Sequence, residues 1–336
     1  MKLRQIFGVC LFGTCGFFVL ATAVCAQTNS ASIESAGQGN STYSLTGTLR
    51  QPAVSELNGK VSYEGGNMDS SEGHIFHGSV TFPVAHQFGL QADALYSRIS
   101  GQDFFGGAGH VFWRDPEFGF IGFAGGGLHQ SGVDTFQVGA EGGWYCGRFT
   151  FGFFAGVGSI RYDGSAPFID TSPIRFIGRI SADWYALDDL RVGVSYVNAF
   201  ENNLVKGEVE YQTPINGLAL TAEVAGGSNG YDHWLLGLRY YFGTSKSLRD
   251  RQRRDDPPGL MPQILHGLGL YGAEANRNAH AYLTAHPDAE NVGNWGYGGI
   301  EIERDRMKDP VGPGVLPPLP PGPLEPPGDS GPAPSL

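Results

Sequence analysis

The chain has 336 residues, with 33 acidic and 22 basic side chains and a formal net charge of −11. Glycine supplies 52 residues, about twice its usual share, and charged residues are 16% against roughly 25% in an ordinary globular domain. This balance argues against a basic nucleic-acid binder, and the absence of a second long apolar run argues against a helical membrane protein.

Lys2 and Arg4 precede an apolar run from Ile6 to Ala26, which ends in Ala21-Thr22-Ala23-Val24-Cys25-Ala26 before the polar Gln27-Thr28-Asn29-Ser30. A charged start, an apolar middle and a small-residue end predict a signal peptide over 1–26, with cleavage after Ala26 the better fit and Ala23 the alternative. Cleavage after Ala26 removes Cys10, Cys15 and Cys25 and leaves Cys146 as the single cysteine of the exported chain. Residues 27–56 are rich in Ser, Thr and Gly and read as a flexible lead-in.

From 57 to 243 the sequence alternates with a period of two, the signature of strands with unlike faces. In Phe88–Ile99, Phe88, Leu90, Ala92, Ala94 and Tyr96 oppose Gly89, Gln91, Asp93 and Ser97. In His233–Phe242, Trp234, Leu236, Leu238, Tyr240 and Phe242 oppose His233, Gly237 and Arg239. About twelve such segments of roughly 9–12 residues follow one another, the length a tilted strand needs to cross a bilayer. They fall near 57–66, 73–84, 88–100, 104–114, 117–127, 133–145, 148–161, 173–185, 189–200, 203–212, 217–226 and 232–243. Short turns such as Asp115-Pro116 and Cys146-Gly147 alternate with longer polar connections at 66–72, 130–134, 163–172 and 226–232. Lipid offers no partner for an open sheet edge, so spanning strands must close on themselves. The expectation is an all-β chain: a closed antiparallel transmembrane β-barrel of about twelve strands, with 8–14 admitted. Its apolar parity would face outer-membrane lipid and its polar parity the lumen. The competing reading is an exported β-sandwich that buries the same apolar face as its core.

Beyond the strands, 244–309 opens with a charge cluster (Lys246, Arg249, Asp250, Arg251, Arg253, Arg254, Asp255, Asp256) that reads as a solvated periplasmic hinge. Ala273–Ala285 fits a short helix stopped by Pro287. Residues 310–336 are proline-rich and predict a disordered tail, either a spacer or a ligand for a periplasmic partner.

The leader, the alternating strands and the last strand, His233-Trp234-Leu235-Leu236-Gly237-Leu238-Arg239-Tyr240-Tyr241-Phe242, resemble the bacterial outer-membrane β-barrel (porin-like) superfamily. The resemblance covers about 57–243. It implies outer-membrane residence, passive solute passage, and recognition of the last strand by the barrel-assembly machinery. In that family the final aromatic ends the chain, whereas here the chain runs on to Leu336.

The candidate lumen residues are the cations Lys60, Arg175, Arg179, Arg191, Lys206 and Arg239 and the anions Glu64, Asp93, Glu141, Asp183, Glu208, Glu210 and Glu223. They fit a pore constriction or a paired network that plugs the barrel. Arg179 and Asp183, four apart on one face, read as an ion pair. The function expected is therefore a narrow porin-like pore or a plugged structural barrel. The alternative is a surface or periplasmic interaction protein on a barrel scaffold, with a barrel enzyme behind both. Gly226-Gly227-Ser228-Asn229-Gly230 matches G-x-S-x-G and Gly267–Gly272 matches G-x-G-x-x-G, but neither has the strand-to-helix context its chemistry needs. The histidines show no metal-ligand spacing, so no catalytic, metal or cofactor residue is assigned.

Overall fold

A computed structural model of the chain describes residues 51–130, 132–162 and 174–286. The signal peptide, most of the lead-in, the 163–172 connection and the proline-rich tail lie outside the described residues.

Twelve antiparallel strands form one closed barrel. They are β1 (Asn58–Met68), β2 (Ser71–Ala85), β3 (Phe88–Ile99), β4 (Gln102–Asp115), β5 (Gly119–Gln130), β6 (Val133–Cys146), β7 (Phe149–Tyr162), β8 (Arg175–Leu187), β9 (Leu190–Ala199), β10 (Asn202–Gln212), β11 (Leu218–Gly227) and β12 (Asp232–Tyr241). Each pairs with its neighbour in sequence, and β1 closes on β12 from Lys60↔Tyr241 to Met68↔His233. No strand edge remains, so every described strand has its backbone partners. Each strand overlaps one of the alternating segments, including 117–127, whose alternation is poor. A two-sheet sandwich is excluded.

The parity assignment also holds. Phe88, Leu90 and Tyr96 point outward while Gln91, Asp93 and Ser97 are buried inside. Trp184 and Trp234 remain 47% and 52% exposed on the outer face. Outward rings gather near both rims: Trp184, Tyr211 and Tyr240 at one, Tyr96, Tyr196 and Trp234 at the other. Valine, leucine and phenylalanine fill the band between them.

One rim, the terminal mouth, holds the start of β1 and the end of β12. The other, the hairpin mouth, differs from expectation. Three of the four long connections shrink because the strands extend into them. Asp69-Ser70 and Phe200-Glu201 are two-residue turns with positive φ at both positions (51° and 64°; 53° and 69°). That geometry matches the right-handed strand twist. Only the connection after β7 remains long.

The chain after β12 turns back into the barrel. A short helix, α1 (Leu248–Arg254), caps the terminal mouth, and a longer one, α2 (Met261–Ala285), follows. No described helix is long and apolar enough to cross a membrane, a statement that says nothing of the strands. The charge cluster is thus a docked cap rather than a solvated hinge. Arg251 is 2% exposed and donates to Gln212, Asn216 and the Phe242 carbonyl. Arg253 donates to the carbonyls of Gly147 and Phe149 at 3.0 and 2.7 Å. The guanidinium fork thus satisfies carbonyls at the β6–β7 turn and the start of β7.

Candidate functional site

The lumen is occupied. Every residue from Gln263 to Leu270 is buried, so the first half of α2 is enclosed on all sides. The path is stepwise. Lys60, near the terminal mouth, binds Asp256 at 2.8 Å. The Leu260 amide donates to Asp93 Oδ2 at 3.0 Å, midway along β3. Gln263 donates to Gln137 at 3.3 Å, and His266 stacks on His233 with ring centroids 4.6 Å apart. Tyr271 packs edge-on against Phe200 at 6.0 Å, and Glu274 accepts from Asn202 at 2.7 Å, both at the hairpin rim. The residues from His280 on are mostly exposed.

Apolar residues on the inward parity make this seat. Leu95, Ile99, Phe104, Leu128, Phe154, Ile177, Val197, Leu204 and Leu235 form one core with Met261, Ile264, Leu265, Leu268 and Leu270. Gly267 lets the helix approach the wall: a Cβ there would stand 3.0 Å from Gln137 Nε2 and 3.4 Å from Ala199 Cβ. A helical glycine costs about 1 kcal/mol relative to alanine; here close packing offsets it. The terminal mouth is filled separately. Ala53 and Val54 pack with Phe112, Phe120 and Tyr145. Arg114, fully buried, lies 4.7 Å over the Phe112 ring and donates to the Ala53 carbonyl at 3.3 Å.

Twelve of the thirteen charged candidates line the lumen, and Arg175 sits at the hairpin rim, paired with Glu201 at 2.8 Å. One connected network takes in most of the others. Arg191 binds Asp183 at 2.8 Å, Glu210 at 3.1 Å, and also Glu208. Lys206 joins Glu208 at 3.2 Å to Glu223 at 2.6 Å. Arg239 joins Glu210 at 2.8 Å to Glu64 at 3.3 Å. The expected Arg179–Asp183 pair does not form, because residues four apart in a strand are about 13 Å apart. Asp183 instead bonds across to Arg191 on the next strand. Lys60 and Asp93 bind the chain entering the lumen, as above. Glu141 faces His110, which spans two carboxylates: Nδ1 is 2.8 Å from Glu141 Oε1 and Nε2 3.0 Å from Asp93 Oδ2.

His110, His233, His266 and Gln137 also face the lumen or its plug and are not among the thirteen charged candidates. His110, His233 and Gln137 are isolated polar residues on a face already polar, and His266 lies outside the strands. The two glycine motifs carry no chemistry of the kind their patterns name. Ser228 lies in the turn between β11 and β12, its Oγ accepting from the Asn203 amide at 3.0 Å. Gly267–Gly272 lies inside α2, with no phosphate-binding loop around it. Both ring nitrogens of His110 face carboxylates, and those of His233 face Tyr231 and Glu223, so neither imidazole is set against a serine or cysteine among the described residues.

No protein-family model matches the chain, and no curated protein matches it in sequence. Among solved structures, the KdgM porin bound to disordered oligogalacturonate is similar with a TM-score of 0.44 and 13% identity, over 55% of this chain and 99% of that one. An outer-membrane channel from Pseudomonas putida F1 has a TM-score of 0.41 and 10% identity, over 58% and 97%. The Acinetobacter baumannii outer-membrane protein Omp33 has 0.37 and 12%, over 56% and 99%. The likeness to outer-membrane β-barrels is one of fold. What each of those proteins carries stays with that protein.

Proposed function

We propose that this protein is a bacterial outer-membrane β-barrel sealed by its own C-terminal helix. Two observations support membrane residence. The sheet is closed, which a lipid-exposed sheet requires. Its outer face is an apolar band bounded by rings near both rims, which suit the headgroup regions. The long connection after β7 lies at the hairpin mouth, and outer-membrane barrels carry their longer loops outside the cell. The terminal mouth then faces the periplasm, where the last strand would meet the assembly machinery.

The observation that carries the sealed-barrel reading over the open-pore one is the seating of Met261–Leu270 inside the lumen. The lumen charges are spent on one another and on that segment rather than lining a water path. His286, the last described residue, follows a helix that has passed the hairpin rim.

Planar-bilayer recording tests this reading. The refolded chain from Gln27 to Leu336 is expected to give no steady channel steps. A chain ending at Thr244, with barrel assembly checked by heat-dependent gel mobility, is expected to conduct. Equal steady conductance from both would contradict the seal.

A further inference from the structure

We propose that Glu223, His233 and His266 bind one divalent cation of the zinc type, which clamps α2 to the barrel wall. Glu223 and His233 project from the adjacent strands β11 and β12, and His266 meets them from the helix. Nε2 of His233 lies 2.8 Å and Nε2 of His266 3.3 Å from the same carboxylate oxygen, Oε1 of Glu223. All the candidate ligand atoms lie within 4.8 Å of one another. A tetrahedral zinc ion with bonds of about 2.0–2.1 Å holds its ligand atoms roughly 3.3–3.4 Å apart. The two nitrogen–oxygen distances, 2.8 and 3.3 Å, lie near that spacing. Two imidazoles and a carboxylate suit zinc and its neighbours better than magnesium or calcium, which take oxygen ligands.

Three further features point the same way. First, Nε2 of His266 is buried and makes no hydrogen bond. Buried polar atoms are nearly always bonded, and an unbonded imidazole nitrogen facing a carboxylate fits a metal ligand without its ion. Second, the partners around the three residues are those that orient ligands. His233 Nδ1 lies 3.1 Å from the Tyr231 hydroxyl, which leaves Nε2 for the ion. Lys206 holds the other Glu223 oxygen, Oε2, at 2.6 Å, which turns Oε1 toward the two imidazoles. Third, the connected network contains five carboxylates and three permanent cations. Arg179 lies near Asp183 and Glu208 of that network, and carboxylates still remain in excess. A divalent ion offsets that excess.

The site has one ligand on the plug and two on the barrel, so the ion fastens one to the other. The refolded 27–336 chain, stripped with a chelator, is titrated with Zn²⁺ alone by calorimetry and with Co²⁺ by visible absorption. The expected result is saturable binding of a single ion with a tetrahedral Co²⁺ spectrum. His266→Ala and His233→Ala should each weaken binding at least tenfold, and Tyr231→Phe, which removes only an orienting partner, about tenfold. No saturable binding by the unaltered chain, or unchanged affinity in both histidine variants, would overturn the proposal. If a histidine variant does not assemble, the Co²⁺ spectrum of the unaltered chain and of Tyr231→Phe decides: absent tetrahedral bands count against the site, and bands weakened by Tyr231→Phe support it.

Discussion

Replacing Glu210 with alanine is expected to destabilise the barrel by about 3–5 kcal/mol, the usual cost of removing one partner from a buried ion pair. Glu210 is fully buried near the terminal mouth. Its Oε2 accepts from Arg239 at 2.8 Å, Arg191 at 3.1 Å and Gln252 at 2.9 Å. Its Oε1 accepts from the Tyr241 hydroxyl at 2.6 Å. Alanine leaves two guanidinium groups competing for the remaining carboxylates. Arg239 keeps only Glu64, at 3.3 Å, while Arg191 keeps Asp183 and Glu208. Gln252 on α1 also loses one of its two hydrogen bonds, keeping that from the Tyr185 hydroxyl, so the cap should loosen together with the wall. Urea unfolding in lipid vesicles measures the loss. A change below about 1 kcal/mol, the range of exposed pairs, would mean that water reaches this network and the lumen is not sealed.

Leu236→Arg tests the opposite face. Leu236 sits midway along β12, points outward and is 59% exposed. On a water-soluble barrel, arginine there would be neutral or favourable. Facing hydrocarbon near the bilayer midplane, it should cost about 2–4 kcal/mol in the same unfolding assay. Arginine in place of Tyr240, nearer the rim, should cost about 0–1 kcal/mol on the same argument. Equal, negligible effects at both positions would remove the membrane from the account.

The barrel was legible because strands present alternate residues to opposite faces and these two faces meet unlike surroundings. The outer face carries Phe88, Leu90 and Tyr96, which the proposed lipid contact selects, and the inner face carries Gln91, Asp93 and Ser97. The strand count followed from repeated turn residues. What stayed hidden was the filling of the lumen. Leu95, Ile99, Ile177, Val197 and Leu235 interrupt the polar parity and read as noise, yet they are the seat of α2. The helix itself was legible only over Ala273–Ala285. Upstream, Gly267, Gly269 and Gly272 lower helix propensity, and for Gly267 the wall it approaches explains the choice. The histidine and glutamate cluster was unreadable because no local spacing brings His266 to His233. That contact exists only once the chain has turned back into its own barrel. Arg179 and Asp183 show the reverse error: they share one strand face, but four residues along a strand is too far for a pair.

The central claim is that α2 lies inside the barrel, and a single disulfide tests it most directly. A Cβ at Gly267 would stand 3.4 Å from Ala199 Cβ, close to the ~3.8 Å typical of a bridge. In the 27–336 chain carrying Cys146→Ser, Gly267→Cys and Ala199→Cys, mild oxidation in the membrane should consume both thiols. The denatured chain should then take up no maleimide until it is reduced. Two reactive thiols after oxidation, in a barrel that has otherwise assembled, would place the helix outside the lumen and contradict the account.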